Sequence, residues 1–218
     1  MMPLSADVET TEAIHDAWLL SHVTDIPSRI IRVNYFRLFL ASAFIALCTG
    51  CASPAQISGM SVISDQTDAQ LYDQRLHRNI QVTEVNGGDS TNPLWTSEID
   101  GPDFGAALKQ SLASAGLLGE GPTAYTLRAN LLRVDQPIFG VDFEVTCEAE
   151  YTLTESSSNA VIFREIIRTP YTAGMGDSLI GIKRLRLANE GSARTNISTL
   201  MKRLKAFNPE AKQVSLKQ

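Results

Sequence analysis

The segment Val141–Thr154, VDFEVTCEAEYTLT, alternates apolar and polar residues without a break. Val141, Phe143, Val145, Cys147, Ala149, Tyr151 and Leu153 fall on one side. Asp142, Glu144, Thr146, Glu148, Glu150, Thr152 and Thr154 fall on the other. Successive side chains of an extended chain point to opposite faces, so this pattern predicts a long strand with one dry and one wet face. Such a strand needs a sheet beside it and a cover over its apolar side. The same alternation turns Cys147 inward, where a lone thiol is an inert core residue.

The flanking sequence supplies the sheet. In NIQVTEVNGG, Ile80 and Val82 alternate with Gln81 and Thr83, and Gly87 and Gly88 stop the run, as a strand and its breaker do. YTLRANLLRV, from Tyr125 to Val134, reads as a second strand closed off by Pro137. After Val141–Thr154, the turn ESSSN leads into AVIFREIIRTPY, a returning strand. With Thr154 opposite Ala160, Tyr151 faces Phe163 and Leu153 faces Val161. Glu150 then meets Arg164, an opposite-charge pair that contributes roughly 0.2–1 kcal/mol. This register turns Ile162 and Ile166 outward and Glu165 inward. It predicts either an edge strand or a strand whose outer face meets a partner.

Two helices supply the cover. In PDFGAALKQSLASAGLL, Phe104, Leu108 and Leu112 recur every fourth residue, Pro102 suits a first turn and Gly116 suits a C-cap. In GDSLIGIKRLRLANEGSARTNISTLMKRLKAF, Ile182, Leu185, Ala193, Ile197, Leu200 and Leu204 form an apolar face. Arg186 falls on that face and Gly191 interrupts it, which predicts a kink or break near Gly191. Asp177 reads as the helix cap. The expected fold is α+β in the order β-α-β-β-β-α. It is a two-layer sandwich of a mainly antiparallel four-stranded sheet with two helices on one face.

Ahead of this domain stands LFLASAFIALCTGCAS, from Leu38 to Ser53. Arg29, Arg32 and Arg37 precede an apolar run from Leu38 to Cys48, and the small residues Thr49 and Gly50 lead to Cys51. That is the three-part order of a secretory signal. The run is too short for a spanning helix, which needs about 20 apolar residues. The segment resembles the lipobox of bacterial lipoproteins, with Cys48 where that family usually has Leu. The resemblance implies that Cys51 is lipidated on sulfur and becomes the first mature residue. Ala52, where inner-membrane retention is associated with Asp, favours the outer membrane on the same resemblance. Residues 1–32 are polar and acidic, a poor start for a signal, and translation is expected to begin at Val33. The expected organisation is residues 1–50 as leader, with 33–50 the signal peptide. Residues 51–78 follow as lipidated cysteine and tether, with a short strand around Met60, Val62 and Ile63. Residues 79–207 form the α+β domain and 208–218 a flexible tail.

Signals for chemistry are sparse. The net charge of −5 gives no electrostatic reason to expect nucleic-acid binding. Cys48 and Cys51 sit in the leader, and His15, His22 and His77 are scattered, so no zinc set is expected. Glu144, Glu148 and Glu150 share a strand face with Asp142. They read as a solvated face balanced by Arg164 and Arg168 rather than as a metal or acid–base site. GMGDSLIG could present a helix N-terminus to an anion, but Asp177 opposes one there. No phosphate-binding glycine motif and no G-x-S-x-G elbow occurs. We therefore expect no catalytic residue, metal or cofactor.

Contact surfaces are better supported. Lys183, Arg184, Arg186, Arg194, Lys202, Arg203 and Lys205 make the last helix basic. They form either a solvated face or a contact for lipid headgroups or an acidic partner. Trp95, in TNPLWTSEI, suits an interface anchor or a cap on the core's end. The candidate contact residues are Trp95, Ile162, Ile166, Lys202, Arg203 and Lys205.

TNPLWTSEI, AALKQSLASAGLL, VDQPIFGVDFEV and KRLRLANEGSARTNISTLMKRL resemble a group of proteobacterial outer-membrane lipoproteins to which no catalytic residues are assigned. The order of leader, tether and domain is also similar to the lipopolysaccharide-assembly lipoprotein and to auxiliary lipoproteins of ABC transporters. These resemblances imply a periplasm-facing, non-enzymatic accessory in envelope assembly or transport. It would be anchored by lipid and would act through protein or lipid contacts. The alternative is a periplasmic module that binds a small ligand or a lipid in a closed apolar pocket.

Overall fold

The computed structural model describes residues 53–64, 68, 70–90 and 97–209. Cys51, Trp95, the leader and residues 210–218 of the expected tail lie outside them. Four strands form one sheet: β1 (Ile80–Gly87), β2 (Tyr125–Asp135), β3 (Phe143–Glu155) and β4 (Val161–Ala173), in spatial order β1-β2-β3-β4. The β2–β3 and β3–β4 pairings are antiparallel, and β1 runs parallel to β2. A parallel pair needs a crossover, and helix α2 (Gly101–Ser114) supplies it. Helix α3 (Gly181–Ala206) follows β4, and a single helical turn, α1 (Ile57–Met60), precedes the sheet. The fold is α+β, with the sheet open at its edges and the helices on one face.

The strand pattern sets the inner layer. Phe143, Val145, Cys147, Ala149, Tyr151 and Leu153 are all buried on β3. Cys147, Ala149, Tyr151 and Leu153 pack with Phe104, Leu108 and Leu112 of α2 and Ile197, Leu200 and Leu204 of α3, each of these six fully buried, while Phe143 and Val145 pack in a second cluster with Ala173, Leu185 and Ala188. Burying one such side chain contributes about 1.5–3 kcal/mol. The ends of α2 follow its sequence signals. The Asp100 carboxylate accepts the Asp103 N–H at 2.7 Å, Pro102 lies in the first turn, and Gly116 closes the helix at φ +69°.

One polar clasp runs through this core. The Tyr151 hydroxyl donates to Asn196 Oδ1 at 2.8 Å, and Asn196 Nδ2 donates to the carbonyls of Cys147 and Ile167 at 3.1 and 2.8 Å. Asn196 thereby joins α3 to β3 and to the edge strand β4. Beside it, burial followed by the Glu148 charge pushes the Cys147 thiol up to about 12. The thiol is thus buried and protonated.

Four expectations need correction. First, β4 is shifted by two residues: Leu153 pairs with Phe163 and Tyr151 with Glu165, and a bulge falls before Val161 pairs with Thr154. A two-residue slip keeps every side chain on its face, and the bulge then adds one residue. Ile162 takes that extra place and is buried at 1% exposure, not turned outward. Ile166 does face out. Glu165 does lie on the helix side, at the edge, where it meets Arg203 at 3.3 Å.

Second, α3 continues unbroken through Gly191. That residue lies against the Tyr171 ring, and any Cβ there would overlap the ring. Glycine serves close packing here rather than a kink. Third, Asp177 does not cap α3, whose N-cap is Ile180 with no side-chain hydrogen bond. Asp177 instead closes a turn with Gly174, whose N–H it accepts at 2.9 Å.

Fourth, the segment expected to be a tether with a short strand is part of the domain from Ser53 onward. Met60, Tyr72 and Leu76 are buried. Glu190 of α3 accepts the Gln56 N–H at 3.0 Å, and Val62 is pinned to α2 through Ser111 and Ser114 at 2.9 and 3.0 Å. Residues 57–60 are helical, and no strand forms around Met60, Val62 and Ile63.

Candidate interaction surfaces

The outer face of the sheet carries the acidic row of β3, and arginines answer it. Arg164 meets Glu150 at 2.7 Å, Arg168 lies between Glu148 (3.9 Å) and Asp135 (3.8 Å), and Arg128 meets Glu84 at 2.7 Å. The expected Arg164–Glu150 pair forms across the diagonal, because Glu150 stands directly opposite Ile166. Arg133 donates to Asp135 and holds its carboxyl below the usual range. Such exposed pairs are screened by solvent and add little to stability. Among them Ile166 stands out as an apolar residue at 59% exposure.

The basic helix is largely occupied within the molecule. Arg203 binds Glu165, and Lys205 binds Asp68 at 3.0 Å with its ammonium 5.4 Å from the Tyr72 ring centroid. Arg194 donates to the Gly59 carbonyl at 2.9 Å. Arg184 is buried, donates to the Ser178 carbonyl at 2.7 Å and stacks on Phe143. Arg186, the cation on the apolar face, donates to Ser53 Oγ at 2.8 Å and lies 3.4 Å from Glu190. Lys183 and Lys202 are exposed. Lys202 borders an open groove of about 350 Å³ lined by Ser61, Val62, Ile63, Arg194, Thr195, Ser198 and Thr199. Of the sequence candidates, then, Ile166, Lys202 and Arg203 are exposed. Arg203 and Lys205 have partners within the fold, and Ile162 is internal.

Sequence reasoning overlooked a third surface. The β2–β3 connection presents Ile138, Phe139 and Val141, and the β4–α3 connection presents Met175, Leu179 and Ile180. Phe139 is 84% and Leu179 82% exposed. The two connections are neighbours, since Phe143 pairs with Ala173 and the Asp142 carboxylate lies against Gly174. The available signal was composition: large apolar residues between Pro137 and Gly140, and between Gly176 and Gly181, where turns are ordinarily polar.

Among the described residues no helix is long and apolar enough to cross a membrane. No family model and no curated protein matches the chain. Several solved structures match the chain at low similarity. A Xanthomonas campestris protein of the family DUF330 is 10% identical over 66% of this chain and 94% of its own, at a TM-score of 0.47. A minor lipoprotein from Acinetobacter baumannii is 7% identical over 60% of this chain and 94% of its own, at 0.40. Lipoprotein GNA1162 from Neisseria meningitidis is 12% identical over 60% of this chain and 99% of its own, at 0.35. At these scores no activity or residue role passes from those proteins to this chain.

Proposed function

We propose that the chain is a lipoprotein anchored through Cys51 at the periplasmic face of the outer membrane. It acts there as a non-enzymatic accessory in envelope assembly or transport, through protein or lipid contacts. The anchor rests on the leader sequence. The accessory role rests mainly on how the interior is packed. Phe104, Leu108, Tyr151, Ile197 and Leu200 fill the space between sheet and helices at 0% exposure, while the unpaired apolar residues sit on the surface. A module built around a small apolar ligand needs a chamber of about 300–1,000 Å³ lined by such residues. Three concavities bounded by described residues are open grooves, one of about 610 Å³ lined by Gln70, Tyr72, Gln74 and His77. This packing favours the accessory over the ligand-binding module.

Two measurements test the reading. Cys51→Ser should remove the acyl mass from the N-terminal peptide and move the protein from the membrane to the soluble fraction. Unchanged fractionation would sink the anchor. Cross-linking before membrane solubilisation should recover a specific envelope partner, and Ile166→Glu should reduce its yield. Recovery of no partner would overturn the accessory role.

A further inference from the structure

The apolar loops between β2 and β3 and between β4 and α3 are exposed, although the backbone of the second is held in place. Arg184 binds the Ser178 carbonyl from below, the Ser178 hydroxyl accepts the Ile180 N–H at 3.2 Å, and Asp177 closes its turn with Gly174. These bonds hold Leu179 and Ile180 outward. The carboxylates of the two loops, Asp142 and Asp177, turn back toward Gly174, which leaves the tips apolar.

The chain outside the described residues joins the domain at this same end. Ser53 is held by Arg186, five residues into α3 and therefore about 7–8 Å along its axis from Gly181. The Ser53 carbonyl accepts the Ser97 hydroxyl at 2.8 Å. Asn189 Nδ2 in turn links the Ser97 carbonyl (2.5 Å) to Gln136 Oε1 (3.3 Å), at the start of the β2–β3 connection. Cys51 is two residues before Ser53, so covalent geometry keeps it within about 7 Å of Ser53.

We propose that the two loops seat in the lipid surface that carries the anchor. Ile138, Phe139, Leu179 and Ile180 would enter the boundary between headgroups and acyl chains. The inference rests on the lipid-anchor reading and adds an orientation to it. Acyl chains alone fix a point and let a domain swing about it. Apolar side chains that penetrate about 5–10 Å beside that point fix the domain's axis. Helix α3 then rises away from the membrane. Lys202 lies about 30 Å of helix beyond Gly181, so Lys202, Arg203 and Lys205 cannot meet the same headgroups while the loops are seated. The Ile166 face is left in water for a protein partner.

The test uses the full chain processed in cells and reconstituted in vesicles of phosphatidylethanolamine and phosphatidylglycerol. Phe139→Trp, Leu179→Trp, Ile166→Trp and Lys202→Trp are each compared with the parent, whose own Trp95 sets the baseline. Brominated lipids should quench the added emission at 139 and 179 several-fold more than at 166 and 202. Mass of the N-terminal peptide reports acylation separately. Acylated protein with 139 and 179 unquenched, or with 202 quenched in their place, overturns the loop proposal and leaves the anchor standing. Unacylated protein whose 139 and 179 positions are still quenched sinks the anchor reading and keeps the loop contact. Unacylated protein with both positions unquenched overturns both.

Discussion

The two ends of the sheet are built from opposite materials. At one end the β3–β4 turn is Glu155-Ser156-Ser157-Ser158-Asn159, and it satisfies itself. Ser158 donates to Glu155 at 2.6 Å, the Glu155 N–H reaches the Ala160 carbonyl at 2.9 Å, and Asn159 takes φ +54°. At the other end, two connections of similar standing in the fold carry Ile138, Phe139, Val141, Met175, Leu179 and Ile180 outward. Turning the chain requires only the first kind of loop. The apolar tips therefore answer a requirement other than folding, and their position beside Ser53 points to the surface from which the chain arrives.

This comparison assumes that both ends hang on one rigid middle, and the largest predicted effects test that middle. Raising the pH should unfold the whole domain. The Cys147 thiol moves from 9.0 to about 12 on burial, and Tyr72 from 10.0 to about 12. A group whose folded value is raised stabilises fully below its unfolded value and loses that contribution as pH climbs to the folded one. Urea midpoints followed by circular dichroism should fall steadily between about pH 9 and 12, and Cys147 should ignore a thiol reagent at pH 8 until denaturant is added. A thiol that reacts at once would show the middle to be loose.

Next in size, Asn196→Ala leaves the Tyr151 hydroxyl and two buried carbonyls without their partner. It should cost about 2–4 kcal/mol in denaturant unfolding. A loss below about 1 kcal/mol would mean that α3 is not clasped to the strands as described.

At the polar end, Asn159→Val puts a β-branched residue at positive φ and should cost about 1–2 kcal/mol. At the apolar end, the double change Phe139→Ser with Leu179→Ser removes nothing that the fold uses. Stability should stay within about 0.5 kcal/mol of the parent. If that double variant is strongly destabilised, the tips are structural and the contrast between the ends collapses.

Much of the framework was legible in the residues. Alternation along Phe143–Thr154 gave β3 and both of its faces and placed Cys147 inward, but Val141, read on the same dry face, lies in the β2–β3 connection and is exposed. Asp100, Pro102 and Gly116 bracketed α2. The register of β4 was not legible, because pairings that differ by two residues present the same alternation, and burial of Ile162 follows from a bulge that no periodicity encodes. The basic residues of α3 were visible as charges, but the partners of Arg203 and Lys205 were not, since Glu165 and Asp68 are far from them in sequence. The apolar loops went unread because a turn's residues do not reveal which other turn lies beside them.

By itself the sequence determined the class of fold, the covered face of β3 and the inward thiol. These depend on local order: the two-residue period of a strand and the near-four-residue spacing of a helix face. The tertiary structure decided which residues pair across the sheet, which cations are already bound, why Gly191 must lack a side chain, and which loops lie beside the point where the chain joins the domain. Those facts depend on contacts between residues distant in the chain, whose energies appear only once the helices lie on the sheet.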